Sequence, residues 1–318
     1  MSKYLEMFRK LGLTSILLSL FFVSCGSPED MNTDNACAHE LAEKMPNLEG
    51  NEKNLNVMLL LDISDGISDK YPGGAMRYHE MDCGYINSII DAFTMHLLTK
   101  TLRKTNDQIK FFVEPIPPEQ KIIPLLENLK DFSFTKNNAS IDGFCNMRRK
   151  FQDNVTAIYD VAIDHGNFPG SDLWGFFDTK VKDYMDTSKR NLLFVLTDGY
   201  PYHKSNTREK DKIRNYVLHR TIKQDKLDNN SDWENRMNSE GIKLLPTRET
   251  NLDKLEVFVL GLRKMKGAEN NPYEIDILKK FWKDWFLAMG LKEENIFVKE
   301  SRLPRDHEEG IRTFIGLK

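Results

Sequence analysis

Three runs of this chain are apolar without alternation: "NVMLLL" at 56–61, "NLLFVL" at 191–196 and "VFVLGL" at 257–262. A strand with one wet face alternates apolar and polar residues. Unbroken runs of this length therefore predict strands covered on both faces, as in the parallel sheet of an α/β protein. The first two end abruptly in polar and glycine residues, "DISDG" after Leu61 and "TDG" after Leu196. In open α/β sheets ligands sit beyond the carboxyl ends of the strands, which places Asp62, Ser64 and Asp198 where binding chemistry is found. Asp and Ser also shape turns and cap helices through local backbone bonds. A site needs more than these residues alone.

Between the strands the spacing turns helical. Ile86, Ile90, Phe93 and Leu97 recur along "GYINSIIDAFTMHLLTKTLRK" and predict a helix with one buried face. "IKFFVEPIPP" predicts a strand of roughly five residues closed by prolines, which cannot continue a ladder. Residues 119–150 are mixed, and "KIIPLLENLKDFSFT" fits an edge strand or a short helix. "DNVTAIYDVAIDHG" reads as a helix with Asp153, Asn154 and Thr156 in its first turn, and "SDLWGFFDTKVKDYM" as another, with Ser171 and Asp172 as caps. A charged insertion at about 200–250 follows, long for a connection between a strand and its neighbour, and "TREKDKIRNYVLHRTIKQ" within it reads as a helix. In "NNPYEIDILKKFWKDWFLAMG", Pro272 suits a first turn, Ile277, Phe281, Trp285 and Met289 form one stripe, and Gly290 suits the end. "ENIFVKE" supplies a last strand. The alternation predicts an α/β fold: a three-layer, doubly wound, mostly parallel sheet over 55–318.

The amino terminus is of another kind. Lys3, Arg9 and Lys10 precede "LGLTSILLSLFFV", which is too short to span a bilayer comfortably and reads as the apolar part of a secretory leader over 1–24. It ends in "FFVSCGS", which resembles the lipobox of bacterial lipoproteins, with Phe22 where Leu is commoner. The resemblance implies cleavage before Cys25 and lipidation of that thiol, hence an anchor in the bacterial cell envelope. Residues 25–54 are polar and suit a tether, with at most a short helix around Ala38 to Lys44.

Composition narrows the partners. With 318 residues, 40% hydrophobic and 29% charged, and a net charge of −3, the chain is globular and lacks the positive field that phosphate backbones require. Nucleic acid is not an expected partner. Beyond Cys25 there are Cys37, Cys83 and Cys145, an odd number with no zinc spacing. Cys83 and Cys145 precede helices that flank the polar strand ends and are expected to pair, leaving Cys37 free in the tether. The phosphate loop GxxxxGK[ST], the dinucleotide turn GxGxxG, the GxSxG elbow and the HExxH pair are all missing.

What remains is a set of oxygen-bearing segments in a fixed order. Two carboxylates and two hydroxyls at one sheet edge suit a hard divalent cation such as Mg²⁺. "DISDG" at 62–66, "VTAIYDVA" at 155–162 and "VLTDG" at 195–199 resemble, in order and strand context, the metal-ion-dependent adhesion site of the von Willebrand factor type A family, over about 56–299. The resemblance implies Asp62, Ser64, Thr156 and Asp198 as ligands of Mg²⁺ or Mn²⁺, with a carboxylate of a partner protein or acidic ligand completing the shell. Gly66 stands where the family has a second coordinating Ser, which implies weaker binding with water in that place. The expected function is recognition by a membrane-anchored lipoprotein. The rivals are a Mg²⁺-dependent phosphate-ester hydrolase using Asp62, Asp65 and Asp198, and a structural envelope protein with a vestigial site.

Overall fold

A computed structural model describes residues 36–43, 53–63, 67–71, 74, 76–100, 102–117, 119–165 and 170–317. The leader, Cys25, most of the tether and the stretch Ser64, Asp65, Gly66 lie outside them.

Helix α1 covers 36–43 and strand β1 Leu55–Leu61. Every residue of β1 is buried, because the strand lies mid-sheet and feeds two cores at once. Leu55, Val57, Leu59 and Leu61 face one core, and Met58 and Leu60 the other. That double burial is why its sequence does not alternate. Helix α2 (Tyr78–Leu98) leads to β2 (Asn106–Val113), α3 (Ile122–Leu129) and β3 (Phe132–Thr135). Helices α4 (Ile141–His165), α5 (Leu173–Thr179) and α6 (Val181–Tyr184) then precede β4 (Arg190–Leu196). The insertion holds β5 (Glu209–Lys210), β6 (Ile213–Arg214), α7 (His219–Gln224), α8 (Trp233–Glu240) and β7 (Lys243–Leu244). Strand β8 (Leu255–Leu262), α9 (Glu274–Ala288), β9 (Ile296–Glu300) and α10 (Glu308–Ile315) complete the order.

The main sheet runs β3-β2-β1-β4-β8-β9, with β3 antiparallel on one edge and every other pairing parallel. Helices α2, α4 and α10 fill one core, and α5 and α9 the other. From β1 the chain steps outward to β2 and β3, and from β4 it steps the opposite way to β8 and β9. The direction of winding reverses between β1 and β4. Such a reversal is where open α/β sheets place their ligands, beyond the carboxyl ends of the strands. Among the described residues no helix is long and apolar enough to cross a membrane.

Several expectations are corrected by the packing. The segment at 119–150 is both a short helix and an edge strand, and it also contains the start of α4, which begins at Ile141 rather than near Asp153. Its buried stripe starts at Phe144 and runs through Met147, Phe151, Val155, Ile158 and Ala162. The run Arg148-Arg149-Lys150 hides that stripe in the sequence. Arg148 turns outward to Asp91 of α2 at 2.9 Å and to Glu40 of α1 at 3.4 Å. Within the insertion, the helix expected across "TREKDKIRNYVLHRTIKQ" forms only at His219–Gln224. Upstream, Asp211 takes a left-handed φ of 58° and turns β5 into β6. Arg214 leaves the hairpin to lie buried against Asp225, its Nη2 donating to Oδ1 at 3.1 Å.

The disulfide joins Cys37 to Cys145, with Cα atoms 6.0 Å apart, and Cys83 is free. The expected Cys83–Cys145 pair fails on distance. Cys83 lies beside Thr156 of α4, eleven residues from Cys145 and so about 16 Å along the helix, more than twice what a disulfide spans.

Candidate functional site at the carboxyl edge of the sheet

Three backbone hydrogen bonds lock the strand ends into a staircase. Asp62 N donates to Leu196 O at 2.9 Å, Thr197 N to Leu260 O at 3.0 Å, and Arg263 N to Asp198 O at 3.0 Å. Residues that leave β1, β4 and β8 are thereby held side by side at the winding reversal. Gly199 and Gly261 make the close approach feasible, with φ of 98° and 100°. A Cβ on Gly261 would lie 2.9 Å from Thr197 O and 3.7 Å from Asp82 Oδ1. Only glycine fits there without strain.

Asp62 is 5% exposed. Its Oδ2 accepts from Thr197 Oγ1 at 2.7 Å, and Ser171 bonds to the same carboxyl group while taking Ile63 N at 3.1 Å. Its Oδ1 is buried and has no hydrogen-bond partner among the described residues. Asp198, 8% exposed, accepts Tyr200 N on Oδ1 at 3.0 Å. A third carboxylate, Asp82, comes from the first turns of α2, where Tyr159 of α4 donates to its Oδ2 at 2.9 Å. Arg263, half-buried, lays its guanidinium over the ring of Tyr78, the first residue of α2, with Cζ 4.2 Å from the centroid.

The electrostatics follow from this crowding. Burial, and then the neighbouring charge of Asp198, push the Asp62 carboxyl up to about 7. Burial raises Asp82 too, with Arg263 pulling the other way. For Arg263 burial alone would lower the guanidinium, but the charges of Asp198, Asp82, Tyr78 and Asp62 outweigh it and hold it above the usual arginine value. Burial followed by the Asp82 charge pushes the Cys83 thiol up to about 12, which disfavours its thiolate.

Of the four sequence-predicted ligands, the structure brings Asp62 and Asp198 to one edge. Ser64 lies outside the described residues. Thr156 sits in the second half of α4, exposed and beside Cys83, with Oγ1 donating to Gln152 O at 2.9 Å. Because α4 starts twelve residues earlier than its sequence suggested, what read as a capping turn is helix interior, where a Thr hydroxyl back-bonds to its own helix. Ser171 supplies a hydroxyl to Asp62 instead. The cap of α5 is Asp172 alone, which accepts Gly175 N at 2.8 Å and frees Ser171 for the site. Sequence reasoning also passed over Asp82 and Arg263. Asp82 had a signal, for it stands four residues before Ile86 and extends the apolar stripe of α2 by one turn. Arg263 had none beyond its place just after β8. Among the described residues no group of three or more His, Cys, Asp or Glu side chains is arranged to hold a metal ion.

Asp62 has a measurable cost. Its carboxyl binds a proton more tightly folded than unfolded, so its contribution to stability is full below the ordinary carboxyl value of 3.8 and is lost as pH rises through about 7. Asp62→Asn is expected to be more stable than wild type by about 2 kcal/mol near pH 8, with a flatter pH dependence, read by urea unfolding across pH. Equal slopes for the two proteins would show that Asp62 ionises as it does in water.

No family model matches the chain, and no curated protein matches it. Among solved structures it is similar to the pilus adhesin SpaC from Lactobacillus rhamnosus GG, at 12% identity and a TM-score of 0.36. The match covers 84% of this chain and 30% of that one, so the chain spans less than a third of the adhesin's length.

Proposed function

We propose that the chain is an exported, lipid-anchored recognition protein. In this reading the leader 1–24 is removed, Cys25 carries the lipid, and residues 25–54 tether a type A-like domain to the envelope membrane. The domain over 55–318 binds a partner protein or acidic ligand at the carboxyl edge of its sheet. Helices α2 and α4 on one core and α5 and α9 on the other support the three-layer, doubly wound form of the fold. The Cys37–Cys145 disulfide supports export, since such bonds persist in oxidising compartments.

The observation that carries the reading is Asp62. A buried acceptor left without a donor costs about 1–3 kcal/mol, and so does a carboxyl forced toward neutrality. Costs of this kind collect where a protein binds something. Its place at the winding reversal is where α/β sheets present ligands. The test is capture of envelope proteins on immobilised wild type and on the double variant Asp62→Asn, Asp198→Asn, with and without chelator. A partner held by wild type and lost by the double variant supports the reading. Capture of the same partners by both proteins refutes it. Mass spectrometry of the mature amino terminus tests the anchor, and an unmodified Cys25 would remove it.

A further inference from the structure

The type A resemblance implies a divalent cation at this edge, and the donors among the described residues fit it poorly. Thr156 bonds within its own helix, Gly66 stands where the resemblance has a serine, and a guanidinium stacked on Tyr78 lies near enough to Asp198, Asp82 and Asp62 to feel their charges. Arg263 is held there by structure on three sides. Its backbone N is tied to Asp198 O, and Gly261 brings β8 against Thr197 and Asp82. Its Cζ stacks on Tyr78, one helical turn before Asp82 on α2, so the ring and that carboxylate share a face. A planar, always-charged group on an aromatic platform is suited to meeting carboxylates.

We infer that Arg263 is the resident cation of this edge, standing in for a divalent ion among Asp62, Asp82 and Asp198, so that an acidic group of the partner is taken by a guanidinium and not by a metal. The inference rests on the carboxyl-edge reading and names its ligand chemistry. Arg263 also offers geometry that an ion lacks. Its fork pairs two N–H groups in one plane with one carboxylate.

The test needs no partner. Mn²⁺ is titrated by calorimetry into wild type, Arg263→Gln and Arg263→Lys, with thermal unfolding measured with and without Mn²⁺ or chelator. Removing a positive charge from beside the carboxylates should tighten Mn²⁺ by about tenfold or more in Arg263→Gln, and its unfolding midpoint should rise with Mn²⁺. Arg263→Lys, which keeps the charge, should bind Mn²⁺ no better than wild type, and chelator should leave the wild-type midpoint unchanged. If Arg263→Gln binds Mn²⁺ no tighter than wild type, or neither binds it, Arg263 does not hold an ion's place. Should Arg263→Gln fail to fold, a chelator-induced fall in the wild-type midpoint would overturn the inference by itself. None of these outcomes depends on the capture experiment, so the two readings can fail separately.

Discussion

Asp107→Ala is expected to lose about 3–5 kcal/mol of folding stability, among the largest single-residue effects in the chain. Asp107 is 1% exposed at the start of β2, on the amino side of the sheet and away from the candidate site. Its Oδ1 accepts Leu55 N at 2.7 Å, which sets where β1 begins. Lys100 Nζ reaches both carboxylate oxygens, at 2.8 and 2.9 Å, and also caps Lys53 O at 2.8 Å. His96 Nε2 lies 3.1 Å from Oδ1. Removing the carboxylate strands a buried ammonium and an imidazole together, and an uncompensated buried charge costs far more than the net worth of the pair. Asp107→Asn keeps the shape and some contacts and should cost less, about 2 kcal/mol.

The same hub sets the acid limit. Burial by itself would raise the Asp107 carboxyl, but hydrogen bonds from His96 and Lys100 hold it below the usual carboxylate range. A lowered carboxyl contributes stability above its unfolded value and loses it as pH falls through the folded one. Burial lowers His96 as well, so its refusal of a proton acts in the same direction. Urea unfolding as pH is lowered should show wild type losing stability and Asp107→Ala losing less. Parallel curves would deny the hub this role.

Breaking the Cys37–Cys145 bond is the second large effect, about 3–4 kcal/mol. The bridge spans 108 residues, and a loop of that size removes more than 4 kcal/mol of chain entropy from the unfolded state on the entropic account, of which measured proteins commonly retain 2–4. It also pins α1, whose Leu41 is fully buried with α2 and α4. Cys37→Ser and Cys145→Ser should each cost this amount, and the double variant no more than either, because the two side chains act as one unit. Cys83→Ser should shift stability by less than about 1 kcal/mol, since that thiol is unpaired. Unfolding midpoints with and without reductant read all four proteins, and a large loss confined to Cys83→Ser would contradict the pairing.

Asp62 and Asp198 were identifiable from the sequence because they stand one and two residues after runs whose unbroken apolarity marks a central strand. The same continuity marked β1, β4 and β8, and the stripe Ile277, Phe281, Trp285, Met289 marked α9. Periodicity reports how each residue is buried along its own element, and these elements carry that information within themselves. Thr156 shows the limit: the motif that selected it is local, but its position depended on a helix start concealed by Arg148 to Lys150, of which Arg148 reaches Asp91 and Glu40 on other helices. The insertion hairpin shows it again, since Arg214 chooses a buried partner eleven residues away over a helical turn. Cys37 found Cys145 only because α1 packs against the core that α2 and α4 share. Arg263 belongs with Asp62, Asp82 and Asp198 only because the strand order sets β8 beside β4 and α2 over both ends. Burial pattern is a one-dimensional property that sequence alone determined here, whereas charge and hydrogen-bond partnership are through-space properties that the tertiary order of the strands decided.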